Sequence, residues 1–354
     1  MPDDTRMTPA GFRRGLLAGP AVAVAALIIA LILTGAAGVS LRDPDGVASG
    51  RLFGAFGFVA ALIAIDAVIR AGRRLHTWHP PLSAVGTALR ERWSVRRIVA
   101  VTCALLAFFA CYLAYRNIKS VAPLLRPGDL FDRQLLNFDR NLLGGTDPAT
   151  VLHDLLGTDL AAHALSGVYM LFFLFIPVSL AASLVFASDV RIGLFFTTAL
   201  SLNWLIGAGS YLLLPSLGPF HTDPAMFATL PETTVTQLQT WLVDQRHDFL
   251  LNPGLPGSAQ SIGAFASLHM SIYATGAIAA HLVAMPRRVT GILWLLTALT
   301  AMSTIYFGWH YVLDDVGGIA IALVSLALAR GLTGFDLRTA RERRRMPATA
   351  PRIA

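Results

Sequence analysis

The hydropathy pattern constrains this chain more than any other feature. Eight stretches with little or no charge are each long enough to cross a hydrocarbon core of ~30 Å. They lie at about 15–41, 52–69, 98–115, 160–188, 192–214, 266–285, 289–309 and 311–329. A soluble domain of this length would not need so much apolar side chain: 55% of residues are hydrophobic, 14% are charged, and the mean hydropathy is +0.61. The expected fold is all-α, a polytopic membrane bundle of about eight transmembrane helices.

Charge supports that count. The formal net charge is +7, and Lys119 is the only lysine. The arginines gather on alternate connections: Arg13 and Arg14 before the first span, Arg70 to Arg97 after the second, Arg287 and Arg288 after the sixth, and Arg338 to Arg345 in the tail. The positive-inside rule makes those segments cytoplasmic. Both termini are then expected in the cytoplasm of a multi-pass cell-membrane protein, with 116–159 and 215–265 outside. Clusters lying between apolar runs do not form a nucleic-acid stripe. The first run is too long for a signal-peptide core, so it is kept as a span. Cys103 and Cys111, eight residues apart in one apolar run, would stand about 12 Å apart on a helix, too far to pair, and are read as core residues.

Three regions are expected: 1–96, two spans with a basic inner loop; 97–330, a membrane-embedded catalytic region with its core at about 130–330; and 331–354, a disordered basic tail. The segment LLRPGDLFDRQLLNFDRNLLGG spaces Leu and Phe at helical intervals and is expected along the interface.

Among the nine histidines, two stand out by position. His269 opens the sixth span in FASLHMS, and His310 closes the seventh in STIYFGWHYVLDDVGG. Passing in along one ~20-residue helix and back along the next takes about 40 residues, so the hairpin returns the two imidazoles to one membrane face. Asp314 follows His310 by four residues, on the same helical face, and a carboxylate at the bilayer edge needs a partner. An imidazole so held has one nitrogen fixed and the other free as nucleophile or base. Asp315 is read as a solvated cap. Ser267 and the first N–H groups of the sixth span are expected to receive an anion, phosphate being the natural guest. His76, His79, His153 and His163 are read as packing or interfacial residues.

These residues resemble the type 2 phosphatidic acid phosphatase superfamily. Its second motif, Pro-Ser-Gly-His, is matched by Ala266, Ser267, Leu268 and His269; its third, Ser-Arg, five residues, His, three residues, Asp, by Ser303, Thr304, His310 and Asp314. Leu268, Thr304 and HYVLDDVGG are closer to its inositol phosphorylceramide synthase branch, as are LLNFDRNLLGG and YLLLPSLGPF. The resemblance implies a lipid phosphatase or inositolphosphotransferase-like phosphotransferase that acts on a lipid or polyprenyl phosphate at the extracytoplasmic face, without metal or cofactor. His310 would attack phosphorus, Asp314 would orient it, and His269 would protonate the leaving oxygen. The family's first motif, a Lys followed by Arg-Pro, is read as absent, so Arg246 is expected to meet the phosphate charge, with His221 and His247 behind it. Gly218 and Pro219 are expected to shape the substrate loop after the fifth span.

Two other classes compete. A polyprenyl-phosphate-sugar glycosyltransferase would use Asp43 and Asp45, although DPDG is also an ordinary turn. A transporter or scaffold would string ionisable residues through mid-membrane, whereas here they cluster at one edge.

Overall fold

The structure, a computed structural model, describes residues 9–336. Thirteen α-helices follow in order: α1 Pro9–Ala36, α2 Leu52–Leu75, α3 Leu82–Arg92, α4 Val95–Leu125, α5 Asp132–Leu142, α6 Pro148–Leu156, α7 Leu160–Phe186, α8 Val190–Leu213, α9 Pro219–Thr222, α10 Thr234–Leu251, α11 Leu268–Leu282, α12 Arg287–Tyr306 and α13 Val312–Thr333. No strand occurs among the described residues. The protein is an all-α, multi-pass membrane bundle. The tail expected from 331 starts inside α13, and 337–354 lie outside the described residues.

Among the described residues, seven helices are long and apolar enough to cross a membrane: α1, α2 with the turn before it, α4, α7, α8, α12 and α13. The sixth expected span is different. α11 has only 15 residues, about 22 Å of helix against a ~30 Å core. The chain before it runs non-helically, with Ala259, Ile262, Ala264 and Ala266 buried. Irregular backbone is tolerated at that depth only where protein satisfies it. Here Ala264 N donates to Ser216 O (2.8 Å), Phe265 N to Ser216 Oγ (2.9 Å) and Ala266 N to Ser210 Oγ (2.9 Å). Gln260 joins the same segment to α4 through Lys119 O (2.6 Å).

The third span also differs from expectation. α4 does not stop near 115 but continues through Arg116 and Lys119 to Leu125. A hydropathy window ends at charges, whereas the helix ends where packing ends. Ser94 caps its start by accepting from Arg97 N (3.3 Å). α8 is the most enclosed span, packed against α4, α13, α1 and α11. α1 buries Ala23, Ala26 and Ala30 in the same core as Ala100, Ala104, Ala107 and Cys111 of α4. Small side chains let helices approach closely in lipid.

Candidate active site

α12 and α13 form a hairpin whose turn, 307–311, carries His310. Trp309 N and His310 N both donate to Thr304 O (2.9 and 3.3 Å), folding the turn back over the end of α12. Asp314 then closes the start of α13: its Oδ2 accepts from Tyr311 N (2.9 Å) and lies 3.4 Å from His310 Nδ1. The carboxylate is fully buried, so its partners are fixed by the fold.

α11 is brought to this hairpin by glycine. A Cβ at Gly318 would come 2.3 Å from Ser267 O and 2.9 Å from Met270 Cβ, so α13 lies directly on the first turn of α11. Ser267 N donates to Asp314 O (2.9 Å) and pins the two helix starts together. The His269 and His310 rings then stand 5.8 Å apart, between centroids, at an interplanar angle of 60°. That separation is too long for a direct hydrogen bond between the rings. Burial pushes the His310 imidazole down to about 4, with Lys119 in the same direction and Asp315 against it. It is neutral at neutral pH, as a nucleophile must be. His269 packs against Tyr169 (4.6 Å) and Phe172 (4.1 Å), and its Nε2 has no hydrogen-bond partner in the protein.

Both histidines line one cavity of about 700 Å³, together with Lys119, Tyr115, Tyr211 and Trp309 at its polar end. Lys119 was not among the residues expected from the sequence. Its ammonium is buried, donates to Tyr115 Oη (3.3 Å) and sits 4.3 Å from the centre of the Tyr211 ring. Among the described residues it makes no ion pair with a carboxylate. Lys119 is followed by Arg126-Pro127, so the Lys then Arg-Pro order read as absent is present. The signal was available: a single lysine in the whole chain, seven residues ahead of an Arg-Pro pair. Arg126 itself turns elsewhere, to Asp129 (2.8 Å) and Leu212 O (2.8 Å).

The other expected site residues occupy an outer layer. Ser267 is fully buried, its hydroxyl accepting from Met270 N (3.3 Å) as the α11 cap; it does not line the cavity. Arg246 lies on α10 near His221 and Asp132, also off the cavity. Burial lowers the pKa of both Arg246 and His221. His247 is exposed. Gly218 has φ of 100°, and a Cβ there would meet Trp309 O at 2.6 Å. Pro219 starts α9, and Phe220 N donates to Gly308 O (2.9 Å), so this loop braces the His310 turn. The brace is anchored by Asp132 of α5, missed in the sequence: its Oδ1 accepts from Leu217 N, Gly218 N and Tyr311 Oη, each at 2.9 Å.

Asp315 is not a solvated cap. It is buried, accepts from Thr304 Oγ1 (3.2 Å), and acts electrostatically on His310. The reason is the hairpin, which returns residue 315 to the level of residue 304, where the family's third motif has Arg. The acidic pair of the rival glycosyltransferase reading is engaged locally. Asp43 accepts from Val47 N (2.6 Å) and Ala48 N (2.8 Å), while Asp45 pairs with Arg116 (2.6 Å) and takes the Tyr112 hydroxyl (2.7 Å). Burial opposes charge on Asp45, but Arg116, Tyr112 and Arg51 hold its pKa below the usual carboxylate value.

No curated protein and no solved structure matches the chain. A family model described as the PAP2 superfamily matches residues 133–328, a stretch that contains His269, His310 and Asp314 and spans more than half of the sequence. The chain belongs to the PAP2 superfamily, a membrane protein of the general lipid phosphatase and phosphotransferase kind.

Proposed function

We propose that the protein transfers or hydrolyses a phosphate ester of a lipid or polyprenyl substrate through a phosphohistidine on His310, independently of metal. The observation that carries this is the pair of imidazoles 5.8 Å apart at the polar end of a cavity that also holds Lys119. His310 Nδ1 faces Asp314 and the ring also meets the Ala264 carbonyl; in this reading Nε2 attacks phosphorus while the bond to the lipid oxygen breaks. His269 gives that oxygen its proton. It then removes a proton from water or an alcohol, whose oxygen displaces the histidine nitrogen. Lys119 meets the charge on the phosphoryl oxygens, a role first given to Arg246. Arg246 is left to an outer layer, where it can meet an acceptor or headgroup.

The arginine pattern supports an extracytoplasmic site with both termini in the cytoplasm. The inositol phosphorylceramide synthase-like segments support an alcohol as acceptor, making the protein an inositolphosphotransferase-like enzyme of lipid metabolism. The division into an N-terminal unit, 1–96, and a catalytic region, 97–330, belongs to the same proposal.

The test is phosphate release and lipid-product formation by the purified protein in detergent with EDTA. Phosphatidic acid, polyprenyl diphosphate, or phosphatidylinositol plus a lipid alcohol would be offered. Turnover in EDTA that falls about 10⁴-fold or more in His310→Ala is expected, and the product separates hydrolysis from transfer. Activity that survives the substitution, or that requires a divalent ion, overturns the mechanism.

A further inference from the structure

The cavity does not end at the histidines. Along α4 its wall runs from Lys119 through Tyr112 and Phe108 to Leu105, fourteen residues away, or about 21 Å down the helix. Arg116 and the Tyr112 hydroxyl meet Asp45 on one side of the cavity, with Arg51 beside them; the rest of this wall is aromatic and aliphatic. Facing α4 are Phe172, Ile176 and Pro177 of α7; on the remaining side are Gly54, Ala55, Phe58 and Val59 of α2.

The cleft opens sideways. Phe58 on α2 and Phe173, Leu174 and Val178 on α7 line the cavity and are also exposed on the outer surface of the bundle, Leu174 to 59%. Since α2 and α7 are spans, that opening faces lipid rather than water. Within it, α2 presents its smallest residues: a Cβ built at Gly54 meets nothing within 4 Å. The α2 wall also lies ahead of residue 133, where the family match begins.

We propose that this lateral cleft seats a hydrocarbon chain of the substrate, admitted between α2 and α7, and that Gly54 and Ala55 determine how much chain it accepts. The proposal rests on the reading that the Lys119 end takes the phosphate. A cavity with a cation and two imidazoles at one end and a largely apolar wall that runs on past the Arg116–Asp45 pair to Leu105, about 21 Å along α4, matches a long-chain phosphate ester, polar head inward and tail toward the bilayer.

Two measurements on the full-length protein test it. The first needs no variant: phosphatidic acid carrying a photoreactive diazirine at the end of one acyl chain is cross-linked in nanodiscs and the labelled peptides are mapped. Labelling centred on 54–59, 105–109 and 172–178 is expected; labelling confined to other outer faces of the bundle overturns the cleft. The second compares kcat/KM for dioleoyl and dioctanoyl phosphatidic acid, with a polyprenyl diphosphate arm to separate acyl from isoprenoid chains. In Gly54→Phe the long-to-short ratio is expected to fall at least tenfold. An unchanged ratio overturns the role of α2. Failure of the underlying reading has a different signature: no EDTA-resistant phosphate release from any of these lipids by the wild-type protein, whatever the cross-linking map shows.

Discussion

α4 carries three buried cations; Arg116 is paired with Asp45, and the other two, Arg97 and Lys119, have different surroundings. Arg97 is 1% exposed, and its guanidinium donates to the carbonyls of Leu184 (3.1 Å), Val185 (3.2 Å) and Ala187 (2.8 Å), stacking over Trp93 at 5.1 Å. Those carbonyls belong to the end of α7, where helical partners run out, so the arginine completes the fold. Lys119 is 7% exposed and meets one phenol and the face of a ring, with the cavity beside it. A buried ammonium has three donors and costs free energy unless an anion answers it. The contrast separates a structural cation from one that a ligand completes, by its partners rather than by its burial.

The strongest way to break that comparison is Lys119→Ala. Activity on a lipid phosphate should fall about 10²–10³-fold, the usual effect of removing one donor to a developing oxyanion, with the melting temperature nearly unchanged. A large loss of stability with kcat/KM intact would make Lys119 another Arg97. The pH profile sharpens the picture next. An imidazole at its usual ~6.5 is about 3% neutral at pH 5, whereas His310, held near 4 by burial, stays mostly neutral there. The acid limb of kcat/KM should therefore lie well below pH 6, leaving activity at pH 5 about 30-fold above that of an ordinary histidine; a limb at 6.5 would refute the neutral buried nucleophile.

A smaller effect is expected from Asp132→Asn, which weakens the clamp on Leu217, Gly218 and Tyr311 and so loosens the His310 turn. kcat should drop about tenfold with KM little changed, and equal changes in both would place Asp132 at the substrate instead. The smallest effect on catalysis is expected from Arg97→Ala. Leu184 O loses its donor while Arg92 still donates to Val185 O and Ala187 O, so the change should cost about 1–2 kcal/mol of stability, read by thermal unfolding, while the activity per folded molecule stays close to wild type.

Much of this was legible in the sequence. Seven spans follow from apolar length alone, and the 41-residue separation of His269 and His310 correctly brought the rings together because a helical hairpin has a fixed return distance. What stayed hidden depends on partners distant in sequence. Lys119 is hard to find because Arg116 ends the apolar window; partners from distant segments, Asp45 and Gln260 O on Arg116 and the Tyr211 ring on Lys119, let the helix carry both charges inward. The apolar run 266–285 is longer than α11 because Ala266 and Ser267 remain in the buried irregular approach and the helix already ends at Leu282, which hydropathy cannot register. Asp315 looked solvated because nothing near it in sequence announces Thr304.

That the chain has one lysine also gives it a chemical handle. An amine-selective reagent has a single side-chain target in the whole protein, and that target lies in the candidate site. Protection of this one position by a phosphate-bearing lipid, followed by mass spectrometry, would report occupancy directly and without turnover. A membrane protein seldom offers so clean a label.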